Sequence, residues 1–379
     1  MKTNKRKAVR AMLIVLGVLL GGILVLVAVL LIVSPGQIKP FSDDNGKPLA
    51  GSVSEKIWVN INDAEQGMFI RGKNTDNPVL LFVHGGPGMP EHFLAAAQDS
   101  GLEDQFTVCY WEQRGSGLSY KPGMDGEAIT VEQLVSDTIE VTRYLQERFG
   151  QERIYLMAHS WGTFIGIQAA AQAPELYHAY IGVGQIADTP ESERRACAYM
   201  LAQYEAAGNT GMANKLKEYN VLEPQPDTSL LPYFKSMLRD KAMHELGIGT
   251  TRDMRSVITG IFLPVMKSPA YTLGEKVSIW RAKAFLRSET GLLEQLFSKR
   301  TTDIVPELKI PAYFISGAYD LTVNRDLSEE YFKQLQAPVK AFYTFEDSAH
   351  SPMFEEPDHF LEVMTRDVLA GVTSLADAS

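Results

Sequence analysis

Cysteine is scarce in this chain of 379 residues: Cys109 and Cys197 are the only two, too few for a disulfide framework. Cys109 lies in the apolar run Phe106-Thr-Val-Cys-Tyr-Trp111 and reads as a small buried residue of a strand. Chelating spacings of Cys and His are missing, which excludes a zinc-type site; neither a metal nor a cofactor is expected. Basic charge is missing beyond the N-terminus. The formal net charge is −10, and setting aside five cations in the first ten residues leaves −15 on the remainder. That balance excludes a nucleic-acid or anionic-lipid binding surface and leaves small molecules or short peptides as partners. Internal repeats and low-complexity tracts are missing outside the N-terminal apolar run, which excludes a solenoid. At 45% hydrophobic and 22% charged, the composition excludes disorder over most of the length and suits one large domain with an inserted subdomain. Oligomeric state is not encoded in any of these features.

Lys2, Lys5, Arg6, Lys7 and Arg10 form a basic tail over residues 1–10, and residues 11–33 then carry no charge. An apolar stretch of about 23 residues, rising 1.5 Å per residue, crosses a hydrocarbon core of roughly 30 Å. A cleaved signal has an apolar region of only about 7–15 residues and a small-residue cleavage site, and Ile32-Val33-Ser34-Pro35 offers none. The reading is an uncleaved transmembrane anchor. Five cations precede it, while Lys39, Asp43 and Asp44 are the next charged residues. The N-terminus is therefore expected in the cytoplasm, and the remainder of a single-pass cell-membrane protein outside it. Residues 34–52, rich in Pro, Gly, Ser and Asp, read as a juxtamembrane linker.

Beyond the linker, alternating apolar residues over 55–61 and a short piece at 67–71 suit a half-exposed antiparallel edge. The continuous run Val79-Leu-Leu-Phe-Val83 suits a strand buried on both faces of a parallel sheet. Strand and helix then alternate: strands over 106–111, 153–158 and 177–183, helices over 130–149 and 161–173. Thr130 and Gln133 form a capping-box pattern and Gly150 a stop. The rhythm breaks over 187–300, which is mostly helical without strand partners, and resumes with strands at 312–316 and 339–345, a helix over 326–335 and a last helix to about residue 370. This predicts an α/β core in two parts, 53–186 and 301–379, interrupted by a helical lid over 187–300.

The candidate chemistry sits at strand ends. Leu156-Met-Ala-His-Ser160-Trp-Gly162 joins a strand to a helix, where a nucleophile stands on a strained turn and its neighbours two positions away must be small. Ala158 and Gly162 meet that need around Ser160. His84-Gly-Gly-Pro-Gly88 follows a buried strand, and glycines there let backbone N–H groups approach a developing oxyanion. Pro87 has no N–H, so Gly86 is the expected donor, joined by Trp161 after the nucleophile. An acid and then a histidine must follow. Asp320 ends the strand of Phe314-Ile-Ser-Gly-Ala-Tyr-Asp320, and His350 follows the next strand ahead of Pro352, which opens a helix. In this arrangement His350 takes the Ser160 proton and Asp320 orients the imidazole. Glu346 and Asp347 are rival acids, too near His350 in sequence to come from the preceding strand end.

Together His84-Gly-Gly-Pro-Gly88, Trp111-Glu-Gln-Arg-Gly-Ser-Gly-Leu-Ser119, Ser160-Trp-Gly162, Gly317-Ala-Tyr-Asp320 and His350-Ser-Pro resemble the proline iminopeptidase branch of the α/β-hydrolases over about residues 53–370. The resemblance implies the α/β-hydrolase fold, a mostly parallel twisted sheet with helices on both faces, and a serine peptidase that removes an N-terminal proline. It implies Ser160, Asp320 and His350 as a triad, with Gly86 and Trp161 as oxyanion donors. Two positions depart from the family, Glu112 where Asp is usual and Ala158 where Gly is usual. Family members bind the substrate ammonium with lid glutamates; Glu191, Glu193, Glu205 and Glu245 are the candidates, Glu191 and Glu193 first because they follow the strand at 177–183. An esterase or amidase acting on small acyl compounds differs from this reading only in the lid. A catalytically inactive, membrane-tethered binding protein is the alternative from a different class.

Overall fold

The computed structural model describes residues 2–98 and 100–377; the side chains of Lys2, Lys5, Arg6 and Lys7 in the basic tail lie outside what is described. Helix α1 (Lys2–Ile32) carries the apolar run, and its stretch Val9–Ile32 is long and apolar enough to cross a membrane, with none of it buried against the body. Residues 34–52, expected as a linker, lie along the body instead. The Gln37 N–H donates to the Pro269 carbonyl at 3.0 Å, and Arg71 holds the Lys39 carbonyl at 3.0 Å.

Eight strands form one sheet, β1 (Val53–Ile61), β2 (Ala64–Gly72), β3 (Val79–Val83), β4 (Thr107–Trp111), β5 (Ile154–His159), β6 (Tyr177–Val183), β7 (Ala312–Gly317) and β8 (Lys340–Phe345). Their spatial order is β1-β2-β4-β3-β5-β6-β7-β8. The first pair is the expected antiparallel edge, turned by Asn62 and Asp63, both in the left-handed region at φ 47 and 60, a conformation Asn and Asp tolerate. From β4 onward all pairs are parallel. In β3, Val79, Leu81 and Val83 enter one hydrophobic core while Leu80 and Phe82 enter the other. That two-sided burial is why the run is apolar throughout, at about 1.5–3 kcal/mol per large side chain.

Helix α2 (Val131–Phe149) begins where Thr130 accepts from the Gln133 N–H and ends at Gly150 with φ 65. Only half of the expected capping box forms, because the Gln133 side chain turns to Asp137 at 2.9 Å. Helix α3 (Trp161–Gln172) follows β5. Between β6 and β7 the described chain is helical, with α4 (Thr189–Ala206), α5 (Met237–Glu245) and α6 (Leu273–Ser288) its longest members. Helix α7 (Arg325–Gln334) separates β7 from β8. The single last helix expected to about residue 370 is instead broken into Pro352–Glu355, Pro357–Val363 and a wide turn at Met364–Val368, since Pro357 cannot continue the first piece.

Candidate active site

Ser160 stands between β5 and α3 with φ 53 and ψ −126, a strained conformation for a residue with a Cβ. Its N–H is held by the Val183 carbonyl at 2.9 Å. The turn is possible because the helix runs against the neighbouring strand: a Cβ on Gly162 would lie 2.1 Å from the Val83 carbonyl oxygen. Trp161 is the first residue of α3, so its N–H has no carbonyl one turn back to bond. Gly86, Trp161, Ser160 and His350 line one cavity.

The histidine is held by the ends of two other strands. Nδ1 of His350 lies 2.8 Å from Oδ2 of Asp320, both side chains being buried. The other carboxylate oxygen of Asp320 accepts the Val323 N–H at 2.9 Å. The loop bearing His350 comes close because a Cβ on Gly317 would sit 2.0 Å from the Ala349 carbonyl. Of the rival acids, Glu346 and Asp347 are exposed, and it is Asp320 that meets the imidazole. With Nδ1 engaged by a carboxylate, Nε2 is the nitrogen able to accept a hydroxyl proton, and the carboxylate stabilises the imidazolium that results.

Five residues to which the sequence alone assigned no role shape this site. Gln113 clamps the glycine loop to the Ser160 turn: its Nε2 donates to the His84 carbonyl at 2.6 Å and its Oε1 accepts from the Trp161 indole at 3.0 Å. The Gln113 backbone N–H donates to Nε2 of His84, so His84 is neutral with its proton on Nδ1, and burial lowers its pKa. Glu355 accepts the N–H groups of Ala349 and Ser351 on either side of His350, at 2.9 and 3.4 Å, and burial raises its pKa to about 7. Glu91 and His159 form a buried pair against the glycine loop, with the Gly85 N–H donating to Glu91 at 2.9 Å. Gln113 belongs to the stretch around Trp111 that carried the family resemblance. His159 abuts the nucleophile in sequence, but its partner lies 68 positions away, where no local pattern reveals it.

The lid glutamates lie elsewhere. Glu191 pairs with Arg195 at 3.0 Å on the first turns of α4. Glu193 is buried against Arg239, whose Nε is 2.7 Å away. Glu205 pairs with Lys217 at 2.6 Å, and Glu245 accepts from Tyr204 at 2.9 Å. None of the four lines the cavity; its carboxylates are Glu91, Asp188 and Asp240. Asp188 caps α4 and pairs with Arg300 at 2.7 Å, and Asp240 lies 3.2 Å from Arg239. Among the described residues no cluster of metal-ligating side chains occurs, and both cysteines are buried and unpaired.

A family model for the alpha/beta hydrolase fold matches residues 78–357. The chain is 30% identical over 320 residues to a probable aminopeptidase, YbaC, of Bacillus subtilis, covering 84% of this chain and 98% of the relative. It is 27% identical to a proline iminopeptidase of Clostridium botulinum, over 76% of this chain and 88% of that protein. Among solved structures, a bacterial membrane phospholipase A superposes with a TM-score of 0.57 at 17% identity, over 98% of this chain and 99% of its own, a likeness of fold. The sheet order, the strained turn at Ser160 and these matches agree: the chain belongs to the α/β-hydrolase family of enzymes, in its proline iminopeptidase-like branch.

Proposed function

We propose that the chain is a membrane-anchored serine hydrolase that cleaves short peptides at their N-terminal residue through an acyl-enzyme. The observation that carries the reading is the 2.8 Å pair of His350 Nδ1 and Asp320 opening on the cavity that holds Ser160. Ser160 Oγ attacks the scissile carbonyl carbon while its proton passes to Nε2 of His350. The carbonyl oxygen takes up the electron pair and is met by the N–H groups of Gly86 and Trp161. As the tetrahedral species collapses, the C–N bond breaks and His350 returns the proton to the departing amine. Water, deprotonated by the same imidazole, then releases the acid and restores Ser160. The lid over 187–300 covers the site between the core segments 53–186 and 301–379.

The names of the relatives favour the peptide substrate. In the same reading α1 is an uncleaved anchor in the cell membrane, with the N-terminus cytoplasmic and the cavity on the outer side. Superposition over 98% of the chain, which has to include α1, supports a fold built together with that helix.

One observation favours a second reading, an esterase or amidase on small acyl compounds. Glu191 and Glu193, expected to receive a substrate ammonium, do not line the cavity, and the carboxylates that do are engaged by His159, Arg300 and Arg239. A fluorophosphonate probe, with the labelled peptide mapped by mass spectrometry, tests the shared chemistry; absence of label on Ser160 in the folded protein overturns both readings. Relative rates on free-amine aminoacyl arylamides, N-blocked arylamides and short acyl esters then choose between them.

A further inference from the structure

One wall of the cavity carries more positive charge than its own partners neutralise. Arg239, Lys283 and Arg287 all line it. Arg239 is spent: it is held by buried Glu193 through two nitrogens and touches Asp240 with a third. Lys283 and Arg287 lie one turn apart on α6, where positions i and i+4 share a face. Among the described residues the Arg287 guanidinium makes a single hydrogen bond, from Nη2 to the Phe234 carbonyl at 3.2 Å, and lies over the Phe234 ring. The Lys283 ammonium has neither a hydrogen bond nor an ion pair among the described residues. Both are half-buried.

Their place next to the chemistry is fixed by backbone packing. The Cα of Lys283 lies 3.1 Å from where a Cβ on Gly88 would be, so α6 rests directly on the loop that holds Gly86. A cation without a partner in a half-dry wall costs free energy unless an anion joins it. Burial, and after it the charge of Arg287, lowers the pKa of Lys283, as expected of an ammonium short of partners. Two carboxylates are close by: Glu193 is engaged by Arg239 through two nitrogens, and Asp240 is shared among three cations.

We propose that Lys283 and Arg287 receive a carboxylate of the substrate, so that the enzyme selects short acyl compounds or peptides that carry a free acid group. This rests on the serine-hydrolase reading and narrows its substrate class. A planar carboxylate suits the pair: the guanidinium offers two parallel N–H groups and the ammonium a third donor. The acid can come from two sources, the C-terminus of a di- or tripeptide or the distal carboxylate of a dicarboxylic acid monoester or monoamide.

The test uses the full chain in detergent and two pairs of substrates, a dipeptide against its C-terminal amide and a mono-nitrophenyl glutarate against its methyl-capped neutral analogue. The unmodified enzyme is expected to prefer the acid member of at least one pair by tenfold or more in kcat/KM. Whichever pair shows the preference names the source. Lys283→Met and Arg287→Met should each lower that preference about ten- to a hundredfold, mainly through KM, and Lys283→Arg should restore part of it. Equal rates on acid and neutral members in the unmodified enzyme overturn the proposal, as do variants that slow both members alike. Binding of glutarate, read by the shift in melting temperature, keeps the outcome separate from catalysis. If Ser160 takes no fluorophosphonate and nothing is turned over, glutarate stabilisation that is lost in Lys283→Met and Arg287→Met still supports the anion site, and its absence from the unmodified protein refutes it.

Discussion

His159 joins Glu91 to the backbone of His350: its Nδ1 lies 2.9 and 3.0 Å from the two carboxylate oxygens, and its Nε2 lies 2.8 Å from the His350 carbonyl oxygen. A carbonyl only accepts, so Nε2 carries a proton; a carboxylate at Nδ1 calls for a second. Burial opposes the charge on His159, but the Glu91 carboxylate outweighs it and raises the pKa. Burial likewise opposes ionisation of Glu91, and the charge of His159 outweighs it and lowers the pKa. The pair is an imidazolium and a carboxylate tying the glycine loop to the loop of the proposed general base.

Glu91→Gln keeps the shape of this link and removes the charge. The stability that a lowered Glu91 pKa provides is present above the ordinary carboxylate range and lost as pH falls through the folded value. The part from a raised His159 pKa is present below about 6.5 and lost as pH rises through its folded value. The cost of Glu91→Gln should therefore be greatest near pH 5–6.5, on the order of 1–3 kcal/mol, and shrink on the alkaline side. Melting temperatures of both proteins at pH 6 and pH 9 check this; a difference independent of pH would mean the pair is not charged.

Ser160→Ala and His350→Ala should each lower turnover on the order of 10⁴-fold or more, and nearly as much as the double variant, because nucleophile and base act as one unit. Asp320→Asn should lower it comparably, by presenting an amide where the imidazole needs a carboxylate. Additive losses in the double variant would show that the two side chains act independently.

Glu112 gives a second pH signature. It is buried with Tyr271 donating to one oxygen at 2.5 Å and the Leu118 N–H to the other at 2.5 Å, and burial raises its pKa to about 7 against the hydrogen bonds that lower it. A folded pKa above the unfolded one stabilises the protein below about pH 4.5, and that contribution is lost as pH rises through 7. Glu112→Gln should leave stability nearly unchanged at pH 5 and raise it at pH 8 by roughly 1–3 kcal/mol. A variant less stable at both pH values would show that the ionised carboxylate is the form the fold holds.

The parts of the molecule legible in the sequence are those whose signal is local or ordered along the chain. Val79–Val83 shows two-sided burial by being apolar at every position. Ser160 shows itself by the small residues around it, and Asp320 and His350 by following two strand ends in the right order. What stayed hidden depends on distant partners. Glu193 looks like a free lid acid until Arg239, 46 positions on, is brought against it. Gln133 looks like half of a capping box until Asp137 offers its side chain a competing acceptor. The segment 34–52 looks like a free tether because the groups that hold it, Lys56, Arg71 and the Pro269 carbonyl, come from two other parts of the chain.

The packing of this segment leads to a prediction about the end of the apolar helix α1. Lys276, on the lid helix α6, is buried and directs its ammonium protons at the turn ending the apolar helix, Ser34 Oγ at 2.8 Å and the Val33 carbonyl at 3.1 Å, and at the end of the short lid helix Leu263–Lys267, the Met266 carbonyl at 2.8 Å. A buried ammonium is tolerated when every proton is accepted, and removing it leaves carbonyls without a donor. The same helix carries Lys283 and Arg287 two and three turns further on, so α6 touches both the end of the apolar helix α1 and the cavity wall. Lys276→Met should lower stability by about 2–4 kcal/mol and release the segment 34–52. The expected readout is faster chymotryptic cleavage after Phe41 in the detergent-solubilised full chain, with the label on Ser160 still forming. Lys276→Arg should fall between the two, since a guanidinium supplies donors but in a flat fork that three converging acceptors do not match. If Lys276→Met is cleaved at the unmodified rate and melts at the unmodified temperature, the segment is held by Arg71, Lys56 and the Pro269 carbonyl without help from Lys276.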